Sequence, residues 1–349
     1  MRILFLNRRF YPLIGGVEKH VLEVSKRLVA QGHQVKVLTE SLNGRRTTRS
    51  YTQSYAKIEG IEVFRMNVGQ DDWKKKFRIW YWLWENRFLL RSADIIHCHD
   101  VFFWYLPFRF FFPQKPVFTT FHGYESYPIK KKAILVRKIT ELFSWGNICI
   151  GDFIQKWYGT KPNYVSYGAV ESSKFKIQNS KFKKESAVFF GRLDEQTGIL
   201  TYARAVELIK KEYPKFEFLI IGDGKYKKLM GKNYSVKGFI KNPERYFEKY
   251  HFVFVSRYLS ILEAFAGKRL VFAVYDNPIK KDYLKMSPFA KYMVIAANEI
   301  ELTQKIEYYL QNPKKESLLR EKAYRWAINQ TWDKMVLTYL KLWKKPKQT

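Results

Sequence analysis

The sequence predicts a two-domain α/β protein in which each domain is a parallel sheet wound on both faces by helices. Three observations carry this. Short apolar runs alternate with helical stretches along the first half, the order that builds a parallel sheet. The same alternation restarts in the second half after a basic, Ser- and Asn-containing stretch at residues 171–185. The chain has 349 residues, and domains of about 100–200 residues make two the natural number. The expected division is a first domain over 1–170, a linker over 171–185 and a second domain over 186–330. Sites in doubly wound sheets lie at the C-terminal ends of strands, and two such domains facing each other would make a cleft.

The first half opens with a wholly apolar run, 3–6, read as a buried strand. Val17, Val21, Val24 and Leu28 then fall at i, i+4, i+7 and i+11, which is one face of a helix. Gly32 sits where a helix-terminal glycine belongs. Further strands are expected at 35–38, 61–64, 95–96, 117–120 and 148–150. Between them, residues 73–91 place Phe77, Trp80, Tyr81, Trp84 and Phe88 on one helical face, with Lys74, Lys75, Lys76, Arg87 and Arg91 outside it. Such a segment reads either as a helix packed on the sheet with a solvated basic face or as an interfacial helix on an anionic membrane. A second aromatic stretch, 101–113, is interrupted by Arg109 and would suit the entrance for a hydrophobic acceptor. The second half predicts a strand at 187–190, a helix over 198–211 and a strand at 216–221 that ends in Gly222-Asp223-Gly224. Strands at 252–255, 270–274 and 292–295 continue the series. From about residue 299 the chain reads as helical, with Pro313 starting a new helix.

Composition narrows the function. Hydrophobic residues make up 46% of the chain, too many for a disordered one. The formal charge is +31, which excludes an electrostatically indifferent surface and attracts anions: nucleotide diphosphates, anionic lipid or nucleic acid. No nucleic-acid motif accompanies that charge. The two cysteines, Cys98 and Cys149, are too few for a disulfide framework and fit a reducing compartment. The N-terminal apolar core is too short for a signal peptide, and no run of about 18 uncharged apolar residues exists. A cytoplasmic protein, placed at the inner membrane surface if the basic and aromatic segments touch lipid, is the expectation. His97 and His99 share one face of a strand, but a His-x-His pair without further ligands nearby gives no metal site.

Gly15-Gly16 before a helix would let backbone N–H groups approach an anion, although paired glycines are also ordinary turn punctuation. Together with Arg8-Arg9-Phe10-Tyr11-Pro12 and Val17-Glu18, they resemble the opening of glycosyltransferase family 4 proteins. Other segments follow in the family's order: Ala93-Asp94-Ile95-Ile96-His97-Cys98-His99-Asp100, Thr119-Thr120-Phe121-His122-Gly123, and Tyr167-Gly168-Ala169-Val170-Glu171. Gly191-Arg192-Leu193, Ile221-Gly222-Asp223-Gly224, Leu262-Glu263-Ala264 and Thr331-Trp332 complete the series. The resemblance covers nearly the whole chain. It implies the GT-B fold, with the C-terminal helix over 331–349 returning to the first domain. It implies transfer of a sugar, with retention, from a nucleotide-diphosphate sugar of UDP or GDP type to a glycan or lipid-linked acceptor. No permanent cofactor, no metal and no specific nucleic acid are implied; peripheral contact with an anionic membrane fits. By position, His122, Arg192 and Gly16 would be catalytic. Gly15, Gly16, Arg192, Gly222, Gly224, Phe239, Ser260, Ile261, Leu262 and Glu263 would bind the donor. Glu18, His20, His99 and Tyr124 would lie on the acceptor side. The chemistry suits these types. A guanidinium at Arg192 can bind a leaving diphosphate bidentately, and an ionised Glu263 matches two ribose hydroxyl donors.

Two positions depart from the family pattern. Thr197 stands where a phosphate-binding Lys precedes Gly198, and Val255 lies eight residues before Glu263, where the family carries a first Glu. Arg8, Arg9, Arg257 and Lys225 are candidate replacement cations by loop position. These departures keep open a non-catalytic glycosyltransferase-like binding protein. The charge alone keeps open a nucleic-acid binder, and the fold a nucleotide-sugar epimerase.

Overall fold

A strand buried on both faces needs no polar alternation, and the chain's apolar runs become such strands. The computed structural model describes residues 1–13, 15–41, 54–175, 182–240 and 243–344, save the side chains of Lys174 and Glu244. It divides into two compact units: Met1–Ser166 with Trp332–Thr349, and Tyr167–Thr331.

The first unit runs β1 (Arg2–Asn7), α1 (Gly16–Ala30), β2 (Gln34–Glu40), β3 (Tyr55–Ile58), β4 (Ile61–Met66), α2 (Lys75–Glu85), α3 (Phe88–Ser92) and β5 (Ile95–His99). It continues with α4 (Phe102–Tyr105), α5 (Phe108–Phe111), β6 (Val117–Phe121), α6 (Lys131–Phe143), β7 (Gly146–Ile150), α7 (Phe153–Tyr158) and β8 (Tyr164–Ser166). The sheet order is β3-β4-β2-β1-β5-β6-β7-β8. Among the described residues only β3, on the edge, pairs antiparallel; the other pairings are parallel. Strand order reverses between β1 and β5, which makes their C-terminal ends the switch point. Helix α1 ends as Gly32 predicts. Gly32 has φ +81°, its N–H reaches Val29 O at 2.9 Å, and His33 N–H reaches Leu28 O at 3.0 Å. Those are the paired bonds of a Schellman turn.

The 73–91 segment differs from the expected single helix packed on the sheet by its aromatic face. It is two helices, α2 and α3, and the residues turned to the core are Ile79, Leu83, Leu89 and Leu90, at most 1% exposed. The expected aromatic face points outward instead: Phe77, Tyr81, Trp84 and Phe88 are 43–69% exposed. Trp80 is pinned by its Nε1–H donating to Phe103 O at 2.9 Å.

The second unit runs β9 (Lys183–Phe190), α8 (Ile199–Ile209), β10 (Glu217–Ile221), α9 (Lys227–Met230), β11 (Ser235–Lys237) and β12 (Tyr250–Phe254). Then come α10 (Tyr258–Ala266), β13 (Leu270–Val274), α11 (Pro278–Lys285), β14 (Val294–Ala296), α12 (Glu299–Gln311) and α13 (Pro313–Ala327). Its strands are all parallel in the order β11-β10-β9-β12-β13-β14, with the switch point between β9 and β12. Tyr202 anchors the core: its ring stacks on Phe254 at 5.0 Å and its hydroxyl donates to Phe272 O at 3.0 Å. Residues 183–185, expected as linker, already belong to β9, and the chain leaves the first unit after Ser166 rather than after 170. Val170, bridged to Thr331, belongs to the second unit.

The last helix, α14 (Trp332–Trp343), returns to the first unit, as the resemblance implies. Trp332, Val336, Tyr339 and Leu342 are at most 1% exposed, one apolar stripe at helical spacing.

Candidate active site

In the first unit, the C-terminal ends of β1, β5 and β6 and the start of α1 gather polar groups. Asn7 lies in register with His99, and His99 with Thr120. Beyond β5 the backbone turns through Asp100, at φ +59°; its Oδ1 accepts the His122 N–H at 3.1 Å. Arg137 on α6 holds the next carbonyl, that of Gly123, and also pairs Glu125 at 3.1 Å. Gly15 caps α1 with extended backbone, and the Glu18 carboxylate folds back so closely that any Cβ at Gly15 would strike it. Arg65, 4% exposed, donates to Tyr11 O at 2.9 Å and steadies the loop before the glycines.

Four histidines meet here. Ring centroids are 4.9 Å apart for His20 and His122, 5.1 Å for His99 and His122, and 5.1 Å for His97 and His99. Burial pushes His20 down to about 3 and holds His97, His99 and His122 well below the ordinary imidazole range. All four are neutral near pH 7, so each carries one N–H and one acceptor nitrogen.

Donor chemistry then fixes the direction of a hydrogen-bond chain. An indole N–H can only donate, and Trp343 Nε1 lies 3.0 Å from His97 Nδ1. His97 therefore carries its proton on Nε2 and gives it to Thr120 Oγ1 at 2.7 Å. Thr120 Oγ1 has room for a second acceptance, but its own proton has no other acceptor among the described residues, so it donates to the Tyr339 hydroxyl at 3.0 Å. Tyr339 is left to donate to His20 Nε2 at 2.8 Å. A second link follows similarly. His99 Nδ1 and His122 Nε2 are 2.8 Å apart, and buried His99 Nε2 has no partner among the described residues. An orphaned buried N–H is rarer than an orphaned acceptor, so His99 donates from Nδ1. His122 then carries its remaining N–H on Nδ1.

The structure thus brings His20, His99 and His122 together, beside Gly15, Gly16 and Glu18. Tyr124 is set into the core edge, its ring against Phe153 at 6.0 Å. Sequence reasoning missed Thr120, Tyr339 and Trp343. The signal available was a buried-strand Thr and two aromatic residues four apart on the last helix.

In the second unit the loops after β9 and β10 interlock backbone to backbone. Gly191 N–H reaches Ile221 O at 3.1 Å and Leu193 N–H reaches Asp223 O at 2.9 Å. A Cβ at Gly222 would sit inside the Gly191 carbonyl oxygen, and one at Gly224 would collide with Leu193 O. Both glycines are needed for this close approach. Arg192, with 65% of its side chain exposed, pairs Asp194 at 3.3 Å. Its Nη2 donates to Gln196 Oε1 at 3.2 Å, and Arg257 Nη2, from the start of α10, donates to the same oxygen at 2.6 Å. Thr197 is 4% exposed and its hydroxyl serves the loop, within 2.7 and 2.8 Å of Arg192 O and Asp194 O.

Of the remaining expected donor-binding residues, Ser260 is half-buried and Glu263 is 8% exposed on α10. The Ile261 and Leu262 side chains are wholly buried and pack the core, which leaves only their backbone for a ligand. Phe239, beyond β11, is 60% exposed. Among the candidate cations, Lys225 pairs Glu195 and Arg8 pairs Asp71 at 2.8 Å. Lys280, which sequence reasoning passed over, is 1% exposed and donates from Nζ to Ser256 O. Among the described residues no group of three or more His, Cys, Asp or Glu side chains is placed to hold a metal, and no helix is long and apolar enough to cross a membrane.

Two parallel-sheet, Rossmann-like domains define the two-domain transferase architecture called GT-B. Glycosyltransferase Family 4 matches residues 14–160, and Glycosyl transferases group 1 matches 184–312. The chain belongs to glycosyltransferase family 4. It is 22% identical over 237 residues to a GDP-mannose:cellobiosyl-diphosphopolyprenol alpha-mannosyltransferase of Xanthomonas campestris, covering 64% of this chain and 60% of that protein. It is 22% identical over 232 residues to the phosphatidylinositol N-acetylglucosaminyltransferase gpi3 subunit of Schizosaccharomyces pombe, covering 62% of this chain and 49% of the subunit. The matched region therefore spans about half to three-fifths of these relatives. Among solved structures, Anabaena HepE in complex with UDP and glucose superposes with TM-score 0.74 at 13% identity, covering 98% of each chain. A glycosyltransferase from Rickettsia africae superposes with TM-score 0.73 at 17% identity, covering 98% of this chain and 97% of that one.

Proposed function

We propose that the chain is an active glycosyltransferase that moves a sugar from a nucleotide-diphosphate sugar to a glycan or lipid-linked acceptor, with retention. The observation that carries this reading is the convergence of Arg192 and Arg257 on the single oxygen of Gln196. Two permanent cations meet at one neutral oxygen, with Asp194 paired to Arg192 at 3.3 Å, which brings guanidinium donors to the switch-point end of the sheet. A leaving diphosphate develops negative charge that such a site stabilises. Glu263 would accept from the ribose hydroxyls. The His122 Nδ1–H would donate to the transferred sugar or the diphosphate, while His20, His99 and Glu18 serve the acceptor side. The Xanthomonas relative is named for GDP-mannose and a diphosphopolyprenol acceptor, and HepE was solved with UDP-glucose; a UDP or GDP donor is in keeping with both. The exposed aromatic and basic face of α2 supports peripheral contact with an anionic membrane.

Thermal stabilisation by UDP, GDP, ADP, CDP and dTDP, alone and as sugar conjugates, tests the donor site. Ligand at a hundred times its Kd stabilises the native chain by about 2.7 kcal/mol. One base should stabilise, and Glu263→Ala should abolish the effect. No stabilisation by any nucleotide would overturn the reading. The second reading, a binding protein without turnover, is favoured by one observation: Thr197 is committed to its own loop and offers no charge. Donor-dependent release of nucleotide separates the two.

A further inference from the structure

Among the described residues Lys280 is the one buried lysine, 1% exposed. It lies in the first turn of α11, where the helix dipole opposes a positive charge. Its backbone N–H is capped by Asn277 Oδ1 at 2.8 Å, and the side chain runs inward to end at Ser256 O. Ser256 in turn donates from Oγ to Thr197 O at 3.0 Å. The Lys280 amine is therefore a single residue away from Thr197, the position where the family pattern carries its phosphate-binding Lys. Around it lie groups from every neighbouring element. Arg192 and Asp194 come from the loop after β9, and Arg257 and Tyr258 from the start of α10. Asp276 precedes α11, and the Tyr283 ring lies 4.3 Å from Nζ. None of the carboxylates forms an ion pair with Lys280 among the described residues.

We propose that Lys280 supplies, from beneath the loop, the positive charge that Thr197 does not, and that it takes up a proton when a nucleoside diphosphate binds. The proposal rests on reading the 191–198 loop as the diphosphate site. A buried amine with one carbonyl partner is costly to keep charged. Burial, reinforced by Arg257, accordingly holds Lys280 well below the ordinary lysine range. An arriving diphosphate reverses the balance, because a nearby opposite charge favours the protonated form. The sign follows by linkage. The amine's pKa is higher in the complex than in the free chain, so affinity falls as pH rises between the two values, by up to about tenfold per pH unit.

The test is calorimetry of the whole chain with the nucleoside diphosphate that stabilises it most, in buffers of different ionisation enthalpy. The measurement is made near pH 8, where a terminal phosphate with second pKa of about 6 is already ionised. The wild-type chain should take up protons on binding. Lys280→Met should bind about tenfold more weakly with that uptake gone. The wild-type measurement needs no variant, so a Lys280→Met chain that fails to fold does not remove the test. Binding by the wild-type chain without proton uptake would overturn the proposal while leaving the donor site standing. So would a folded Lys280→Met chain with unchanged affinity and uptake. Absence of binding by every nucleoside diphosphate would overturn the donor-site reading and this proposal with it.

Discussion

Replacing Tyr339 by Phe would remove one oxygen from the chain Trp343–His97–Thr120–Tyr339–His20, in which each bond is set by the one before. The variant leaves His20 Nε2 and the Thr120 proton, both on buried side chains, without a partner. Leaving such groups unsatisfied costs about 1–3 kcal/mol, which urea denaturation would read as a lowered midpoint at unchanged slope. Nitrogen-15 spectra of the imidazoles give the direct check. Wild-type His97 should be protonated on Nε2 and His20 on Nδ1, and Tyr339→Phe should change His20 while leaving His97 as it is. Histidine signals that show the opposite tautomer at His97 would break the argument at its first step. None of this ordering is visible in sequence. Thr120 stands there within the Thr119–Gly123 segment, but nothing local names its partner, which lies 219 positions away.

Among the elements, α2 carries the clearest contrast between its two faces. Leu83 is wholly buried, and Leu83→Ala should cost about 2–5 kcal/mol of stability. Trp84, 43% exposed, meets exposed Phe111 at 5.2 Å, with Arg87 over its ring at 5.2 Å. Replacing both Trp84 and Phe111 by Ala should change stability by no more than about 1 kcal/mol. The same double variant should weaken co-sedimentation with anionic vesicles. Undiminished binding to anionic vesicles would count against this face as the membrane contact. The central strands of both units were legible from their apolar runs, and α1 and α8 from their spacing, whereas the short strands β8 and β11 were not. The buried face of α2 was not, since five aromatic residues outweigh two aliphatic ones in any hydrophobicity count while the sheet accepts the smaller, branched pair. Edge strand β3 also escaped notice: its outward Tyr55 and Lys57 give it no apolar run. Lys280 was hidden for a different reason. In Lys280-Lys281-Asp282-Tyr283-Leu284-Lys285 it looks like a solvated helix start, and only its unfavourable place in the first turn hints otherwise.

For the molecule as a whole, the histidine group makes the first unit sensitive to acid. These side chains titrate near 6.5 when unfolded and lower when folded. Below about pH 6.5 the unfolded chain binds more protons than the native one, so stability falls with falling pH, by up to about 1.4 kcal/mol per pH unit for each histidine. Above that pH the four contribute no slope. Tryptophan fluorescence against pH should show cooperative loss of the first unit on acidification, because Trp332 and Trp343 pack against this group. Replacing His97 by Gln should make that transition shallower by about one proton. An unchanged slope would remove His97 from the set.

The division of the chain has a consequence for biosynthesis. The first unit needs α14, yet Trp332 to Trp343 are translated only after the whole of the second unit. At about 5–20 residues per second, the ribosome takes roughly 9–35 s to pass from Ser166 to Trp343. Throughout that interval β1, β5 and β6 lack the helix that covers them, and His97 and His20 lack their partners. The second unit, contiguous in sequence, can close on itself before release. The nascent first unit therefore presents an uncovered apolar seam for several seconds, a surface on which a chaperone could act until the last helix emerges.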